Sequence, residues 1–284
     1  MTILKKIRNE FIYGGHLQSL GTVAIVYISC FLLNAGIDWL MLFSCYLLFY
    51  PIYLFDRYRG LKIDALTNPE RTKHISSYLS LIPKILCLSV LLLIVLLIYI
   101  GNFKFLVFSI ILLALGLLYP IYFKNLTKRI FGFKNFFVAS FFTIIILIPV
   151  IYYNYLFSTS LIIPLASLML LVFMKAILMQ ISLDYKDIES DKKIGLLTFP
   201  VIMGKKKTLI FLKISNLVLM MFILPLLIFL VHGLPLQMVL LLLIIPINFY
   251  SYYLMQKQNY FAYLFAGGEF IFWGFLILIA DLVL

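Results

Sequence analysis

Apolar segments long enough to cross a lipid bilayer recur along the whole chain, and they constrain its fold more than any other feature. A run of about 20 apolar residues spans the hydrocarbon core as an α-helix. Backbone groups in lipid must bond within their own segment, and the period-two alternation of a membrane barrel is missing here. The sequence therefore predicts nine transmembrane helices, at residues 18–37, 39–55, 84–101, 104–123, 135–153, 161–183, 208–231, 236–254 and 260–283.

The composition agrees with a lipid environment. Hydrophobic residues make up 64% of the 284 residues, charged residues make up 12%, and the mean hydropathy is +1.12. A soluble domain is about half apolar and about a quarter charged, so a water-soluble core could not hide this much apolar surface. We expect an all-α, polytopic membrane protein in which residues 1–284 form a single membrane-embedded domain. The three cysteines lack metal-ligand spacing and are interpreted as packing residues.

The basic residues indicate the orientation in the membrane. They concentrate before the first predicted span and in alternate connections, whereas the opposite side has almost only Lys104. Because basic loops stay in the cytoplasm, the N-terminus is predicted to be cytoplasmic. The net charge of +12 follows from this topology; we expect no nucleic-acid partner, since no basic module is evident. The clustered residues are Lys5, Lys6 and Arg8; Arg57, Arg59, Lys62, Arg71 and Lys73; Lys124, Lys128, Arg129 and Lys134; and Lys186, Lys192, Lys193, Lys205, Lys206 and Lys207.

The acidic residues form two clusters on the predicted cytoplasmic face. Asp184, Asp187 and Asp191 follow the spacing i, i+3, i+7 and would line one face if the sixth span continued as a helix. Crowded carboxylates suit a hard cation such as Mg²⁺, which is usually held by a few carboxylates together with phosphate oxygens. Because basic residues lie beside both clusters, we expect the two to converge on one diphosphate. The spacing alone also allows a merely polar loop. The first cluster contains Asp56, Asp64 and Glu70, and the second also contains Glu189.

A longer motif surrounds the second cluster. Its aspartates match the pattern D-x-x-D-x-x-x-D, and a second pattern, G-x-x-T-x-P-V-x-x-G, follows directly. In these residues the chain resembles the UbiA-type intramembrane prenyltransferases. The resemblance implies nine transmembrane helices in a UbiA-like bundle, with one aspartate-rich motif after the second helix and another after the sixth. The matching positions of the second pattern are Gly195, Thr198, Pro200, Val201 and Gly204.

The first motif departs from the family's pattern N-D-x-x-D-x-x-x-D. Asp56 fits the middle aspartate, but Ile52 and Tyr53 replace the preceding pair and Gly60 replaces the last aspartate. Asp64 stands one turn further on, roughly 12 Å from Asp56 along a continuous helix. Gly60 would let the chain leave the helix and fold Asp64 back.

The resemblance implies a role for residues in both motifs. For Mg²⁺ it implies the ligands Asp56, Asp64, Asp184, Asp187 and Asp191, of which Asp56, Asp187 and Asp191 are also expected to be catalytic. For the diphosphate it implies the substrate-binding residues Arg57, Asn68, Arg71, Lys124 and Lys128.

The expected activity is the Mg²⁺-dependent transfer of a prenyl group from a prenyl diphosphate to a hydrophobic or aromatic acceptor, which includes a membrane lipid. We expect an integral protein of the bacterial inner membrane, with its active site on the cytoplasmic side. Two alternatives stay open. The altered first motif also suits a UbiA-like terpene cyclase that ionises the diphosphate without an acceptor, and the same scaffold suits a non-enzymatic isoprenoid-binding protein.

Two ionisable residues lie inside predicted spans. Lys175 is about 12 Å below the cytoplasmic end of the sixth span, and Glu269 is about 13 Å below that of the ninth. Charges within a membrane usually face the protein interior and pair with one another. Because the two residues lie at nearly equal depth, we predict that Lys175 and Glu269 form an ion pair.

Overall fold

The computed structural model describes residues 3–156, 158–259 and 261–283. Within these ranges the chain consists of helices and their connections, without a strand, which confirms the all-α prediction. The first helices are α1 (Ile3–Tyr13), α2 (His16–Leu32), α3 (Trp39–Asp64), α4 (Pro69–Ser76), α5 (Ile82–Ile100), α6 (Phe103–Leu118), α7 (Phe133–Ile144) and α8 (Ile148–Tyr152).

The later helices include several irregular turns. Tighter 3₁₀ turns cover Phe123–Lys128, Ile145–Leu147 and Leu236–Leu243, and wider π turns cover Leu219–Ile223 and Leu226–Leu230. The remaining α-helices are α9 (Thr159–Asp184), α10 (Ile188–Lys193), α11 (Phe199–Val218), α12 (Ile244–Gln256), α13 (Phe261–Gly267) and α14 (Glu269–Val283).

Six helical stretches in the described ranges are long and apolar enough to cross a membrane, or up to eight if each of two bent helix pairs counts as one span. The bent pairs are α1 with α2, at 59°, and α13 with α14, at 56°. Helix α6 is apolar but only 16 residues long. Nine spans and a cytoplasmic N-terminus therefore stay predictions. The six stretches are Trp39–Asp64, Ile82–Ile100, Phe133–Tyr152, Ser160–Asp184, Phe199–Leu230 and Leu236–Gln256.

Glycines allow the two sharp bends. Gly15 has a φ of 109°, in the left-handed region that other residues rarely adopt, and it separates α1 from α2. Gly268 separates α13 from α14, and a β-carbon there would lie 3.0 Å from the carbonyl oxygen of Leu264. Each bend brings a short helix beside the same end of the bundle.

Two long helices carry the acidic clusters to that end. Helix α3 packs against α2, α5 and α6, and it ends at Asp64. Helix α9 packs against α7 and α11, and it ends at Asp184. Because both helices run in the same direction in the bundle, their C-terminal ends place both clusters on one side of the protein.

The predicted pair of charges inside the bundle is confirmed. The Lys175 Nζ atom lies 2.9 Å from Glu269 Oε1, and both residues are buried. Two buried asparagines that the sequence analysis did not single out complete the network: Lys175 donates to Asn216 Oδ1, and Asn248 donates to Asn216 Oδ1 at 3.1 Å and to Glu269 Oε1 at 3.4 Å. The network joins α9, α11, α12 and α14.

This network stabilises the packing of four helices only while both charges are present. A buried ion pair is roughly neutral in stability against an apolar pair of similar size, whereas one charge left alone is strongly destabilising. Lys175→Met and Glu269→Gln should therefore each lower the free energy of unfolding by about 3–5 kcal/mol, and the double variant should regain much of that loss. Unfolding of the purified variants in mixed micelles measures this, with the exposed Lys104→Met as the control. Additive losses would contradict the coupling.

The topology is open to a direct test by cysteine labelling. Ser77 and Lys192 are exposed and lie at the acidic end, whereas the exposed Lys104 lies at the other end of the bundle. In a background without Cys30, Cys45 and Cys87, Ser77→Cys and Lys192→Cys should react with a membrane-impermeant reagent only from the cytoplasmic side, because basic loops stay there. Lys104→Cys should react only from the opposite side. Labelling of Ser77→Cys and Lys192→Cys from different sides would refute the predicted topology.

Candidate functional site

One cavity at the acidic end of the bundle gathers both clusters. It encloses about 1540 Å³ of empty space, part of it open to the surroundings. Its lining includes five aspartates and five basic residues: Asp56, Asp64, Asp184, Asp187 and Asp191, with Arg57, Arg71, Lys124, Lys134 and Lys186.

The second cluster does not lie on one continuous helix. Helix α9 ends at Asp184, and Asp187 is the residue that precedes α10. The expectation of a continuous helical face is therefore wrong. The chain turns between the two helices, and the Asp187 amide donates to the Asp184 carbonyl at 2.9 Å. Because α10 follows this turn, Asp191 still lines the same cavity.

Asp187 connects the two clusters. One of its carboxylate oxygens, Oδ1, accepts hydrogen bonds from the Thr67 hydroxyl and the Asn68 side-chain amide, both at 2.8 Å. Thr67 also contacts the Ser190 hydroxyl at 3.2 Å. These bonds confirm that the two polar stretches meet on one side of the protein. Asn68, predicted to bind the substrate, is in contact with an aspartate of the other motif.

The backbone of the first cluster is helical from Asp56 to Asp64. Helix α3 passes through Gly60 to Asp64, so the expectation that Gly60 releases the chain is wrong. The glycine instead makes room: a β-carbon at Gly60 would lie 3.3 Å from an Asp64 carboxylate oxygen, tight enough to displace that side chain. Asp56 contacts Lys124 at 3.3 Å, and Asp64 contacts Arg71 at 2.7 Å.

Two of the predicted substrate-binding residues, Arg57 and Lys128, lie in surroundings that do not suit that role as well as expected. Arg57 is buried and donates to the carbonyl oxygens of Ile12 and Tyr13 and, at 2.7 Å, to Gln18 Oε1. It therefore ties α3 to the bend between α1 and α2, although it also lines the cavity. Lys128 is exposed at the end of the 3₁₀ turn and does not line the cavity, so the geometry gives no support to a substrate role for it.

Three further residues contact the aspartates or lie beside them, and the sequence analysis missed their roles. Asp184 is almost fully buried; Lys134 pairs with one of its carboxylate oxygens, and Asn135 donates to the other at 2.8 Å. Lys186 lies over the Tyr263 ring, 5.1 Å from its centre. Lys134 and Lys186 were counted with the topological lysines. The only sequence signal was position: Lys134 follows Gly132 in the first turn of α7, and Lys186 stands between two aspartates.

The surroundings shift the pKa values of three charged residues in the site. Burial alone would raise the pKa of Asp187, but the charges of Lys186 and Arg71 lower it below the usual value. Burial, followed by the neighbouring carboxylates of Asp184 and Asp187, raises the pKa of Asp191 to about 6 in spite of Lys134. Burial lowers the pKa of Lys186 to about 8. Asp187 thus keeps its negative charge. The negative charge of Asp191 is less favourable, and a nearby cation would stabilise it.

The second cluster offers carboxylate oxygens, the kind of donor that Mg²⁺ prefers. No group of three or more His, Cys, Asp or Glu side chains in the described ranges is arranged to hold a metal by itself. Mg²⁺ needs fewer, because substrate phosphates supply further oxygens. Among the described residues, the Asp187 Oδ2 atom has no hydrogen-bond partner, and the Asp191 carboxylate accepts only from the Thr198 hydroxyl, at 3.3 Å. The buried Tyr119 hydroxyl, on the same cavity, also lacks a partner there.

The deeper part of the cavity is apolar. Phe49, Ile52, Phe137 and Phe141 line it between α3 and α7. Gly116 of α6 packs directly against Ile52, and a β-carbon there would lie 2.3 Å from the Ile52 side chain. The cavity therefore combines a charged mouth with an apolar interior, as an amphiphilic ligand requires.

Comparisons with known proteins agree with this arrangement. The model of the UbiA prenyltransferase family matches residues 23–265. No curated protein matches the chain. A solved structure described as the apo structure of a UbiA homolog from Aeropyrum pernix K1 is similar, with a TM-score of 0.70 and 15% identity, over 93% of this chain and 98% of that one.

A second solved structure comes from work described as "Structural and mechanistic insights into the biosynthesis of Digeranylgeranylglyceryl phosphate synthase in membranes". Its TM-score is 0.55 at 20% identity, over 98% of both chains. At these identities the two likenesses show the fold alone. The family model, however, covers well over half of the chain, and this protein belongs to the UbiA prenyltransferase family.

Proposed function

We propose that this integral membrane protein transfers a prenyl group from a prenyl diphosphate to a hydrophobic acceptor in a Mg²⁺-dependent reaction, with the whole chain acting as one domain. The observation that carries the proposal is the single cavity that joins two acidic clusters, basic side chains and an apolar interior. Membership of the UbiA prenyltransferase family supports prenyl transfer in general. The charged mouth would open to the cytoplasmic side of a bacterial inner membrane.

The diphosphate would bind in the charged mouth. A bound Mg²⁺ supplies positive charge for the departing diphosphate. Asp187, held in place by Thr67 and Asn68, and Asp191 are the carboxylates available to hold it. Lys124 and Arg71 line the same cavity and would stabilise charge that develops on the leaving group.

The prenyl chain would bind in the apolar interior. When the allylic C–O bond breaks, the electron pair leaves with the diphosphate and the prenyl fragment becomes a carbocation. The faces of Phe137 and Phe141 line this region and would stabilise positive charge. Because apolar side chains surround the fragment, water is excluded. The acceptor's electrons form the new bond, and the acceptor then releases a proton.

A cyclase is the second candidate, and one observation favours it. Ile52, Tyr53 and Gly60 replace three residues of the first motif, and Ile52 and Tyr53 line the cavity. An aromatic and aliphatic wall in place of polar ligands suits a cation that closes on its own chain. A non-enzymatic isoprenoid-binding protein would need neither acidic cluster, and the connected second cluster speaks against it.

The first activity test concerns Asp187. Asp187→Asn keeps the shape of the side chain but removes its charge, so it should lower Mg²⁺-dependent turnover of a prenyl diphosphate by about a hundredfold or more. Glu189→Gln is the matched control, because Glu189 is exposed in the same segment and does not line the cavity. It should retain nearly full activity. Release of pyrophosphate by purified protein measures both. Full activity of Asp187→Asn would remove Asp187 from the site.

The second activity test identifies the reaction. Purified protein with Mg²⁺, prenyl diphosphates of several lengths and a membrane-lipid extract should form a prenylated acceptor, detected by mass spectrometry. The reason is that the cavity combines charged residues that suit a diphosphate with apolar residues that suit a prenyl chain. A cyclic hydrocarbon or alcohol formed without the extract would instead establish the cyclase. If no diphosphate is turned over, both enzyme functions are excluded and a non-enzymatic isoprenoid-binding protein is the remaining alternative.

A further inference from the structure

The two acidic clusters differ in what neutralises them. In the first cluster each aspartate has a basic partner: Asp56 contacts Lys124 at 3.3 Å, and Asp64 contacts Arg71 at 2.7 Å. A divalent cation beside either carboxylate would meet a positive charge already in place. The two aspartates also lie two turns apart on the continuous helix α3, about 12 Å along its axis. They cannot share one ion.

Among the described residues, the second cluster has carboxylate oxygens that no basic side chain contacts directly. Neither Asp187 nor Asp191 has a Lys or Arg nitrogen within 4.0 Å among the described residues. Their hydrogen-bond donors are neutral: Thr67 and Asn68 for Asp187, and Thr198 for Asp191. Asp184 differs, because Lys134 and Asn135 engage both of its oxygens.

The basic partners of the first cluster are free to bind more than their aspartates. Arg71 uses one terminal nitrogen for Asp64, and its buried Nε atom has no partner among the described residues. A guanidinium with unused donors suits the fork-like binding of a phosphate. Lys124 and Asp56 are partly exposed, with 27% and 39% of their side chains accessible. A pair so exposed is weak, so Lys124 can turn toward a phosphate at little cost.

We propose that this protein binds a single divalent cation, at Asp187 and Asp191, and that Lys124 and Arg71 bind the diphosphate where a second cation would otherwise lie. The inference rests on the proposed function and specifies its site. One Mg²⁺ together with a lysine and an arginine carries the same positive charge as two Mg²⁺ ions. Asp56 and Asp64 then act as positioning residues that hold Lys124 and Arg71 in place, and the loss of aspartates at positions 53 and 60 follows from having no ion to bind there.

The stoichiometry can be measured with Mn²⁺ as the probe. Purified protein in detergent is titrated with Mn²⁺ in the presence of farnesyl thiodiphosphate, a slowly reacting analogue, and bound Mn²⁺ is followed by electron paramagnetic resonance. The expected result is about one tightly bound Mn²⁺ per chain, because among the five aspartates of the cavity only Asp187 and Asp191 lack a contact with a described basic side chain. Two tightly bound ions would overturn the proposal and leave the proposed function intact.

Matched substitutions locate the ion. Asp187→Asn and Asp191→Asn should each weaken Mn²⁺ binding by at least about tenfold, whereas Asp56→Asn and Asp64→Asn should change it by less than about threefold. Glu189→Gln is the control for loss of a charge in the same segment. Thermal unfolding in detergent verifies that each variant is folded. A loss of Mn²⁺ binding in Asp56→Asn or Asp64→Asn comparable to that in Asp187→Asn would contradict the assignment.

The role of the basic residues has a separate readout. Lys124→Met with Arg71→Met should weaken binding of farnesyl thiodiphosphate by at least about tenfold at saturating Mn²⁺, because charge-assisted bonds to phosphate are lost. Unchanged affinity for the analogue would overturn their assignment. If the unaltered protein binds the analogue equally well with and without Mn²⁺, the proposed Mg²⁺-dependent function fails as well, which distinguishes that outcome from an error in the number of ions.

Discussion

A charge removed from water needs a partner, and this constraint accounts for three groups of contacts in the bundle. An isolated charge in an apolar interior would strongly destabilise the folded protein, whereas a paired and hydrogen-bonded charge is tolerated. Lys175 meets Glu269 and two asparagines, Asp184 meets Lys134 and Asn135, and Arg57 meets two backbone carbonyls and Gln18. Each of these contacts joins different helices, so the pairing that makes the charges tolerable also fixes the helices relative to one another.

The same requirement shapes the site. Asp184 and Arg57 line the cavity, but their hydrogen bonds connect helices. Asp184 joins α9 to α7, and Arg57 joins α3 to the bend between α1 and α2. Asp187 differs because neutral donors hold one oxygen, and the other has no partner among the residues that the structure describes. The aspartates that look equivalent in the motif therefore have different physical roles. Position in a conserved-looking spacing does not reveal which carboxylate is available to a ligand.

The sequence predicted the helical membrane architecture, the family and the residues of the second motif, because each depends on local pattern. It also predicted the contact between Lys175 and Glu269, because depth along two helices can be estimated from residue counts. It did not predict Asn216 and Asn248, which join that pair from two other helices. Nor did it separate Lys134 from the topological lysines, since the distinction depends on which helix lies opposite the side chain.

Local backbone geometry was the other limit. Gly60 permits a break in a helix, but α3 continues through it, because a missing side chain can also serve to make room for Asp64. After Asp184 the opposite is true: the i, i+3, i+7 spacing is typical of a continuous helix, but the chain turns between α9 and α10. In both places the aspartates still line the cavity. The spacing of these residues in the sequence therefore predicted which side chains meet, but it did not predict the backbone that carries them.

The balance of charge around the cavity explains why metal and substrate would bind together. Five aspartates and five basic residues line it, so the lining is close to neutral. A diphosphate without a metal would face carboxylates that repel it about as strongly as the basic groups attract it. A divalent ion without a diphosphate would meet the opposite conflict, because Lys124, Arg71 and Lys134 repel it. Only a complex of the two, whose charges largely cancel, suits a lining that carries both signs, where Asp187 and Asp191 would hold the cation and Lys124 and Arg71 would bind the diphosphate.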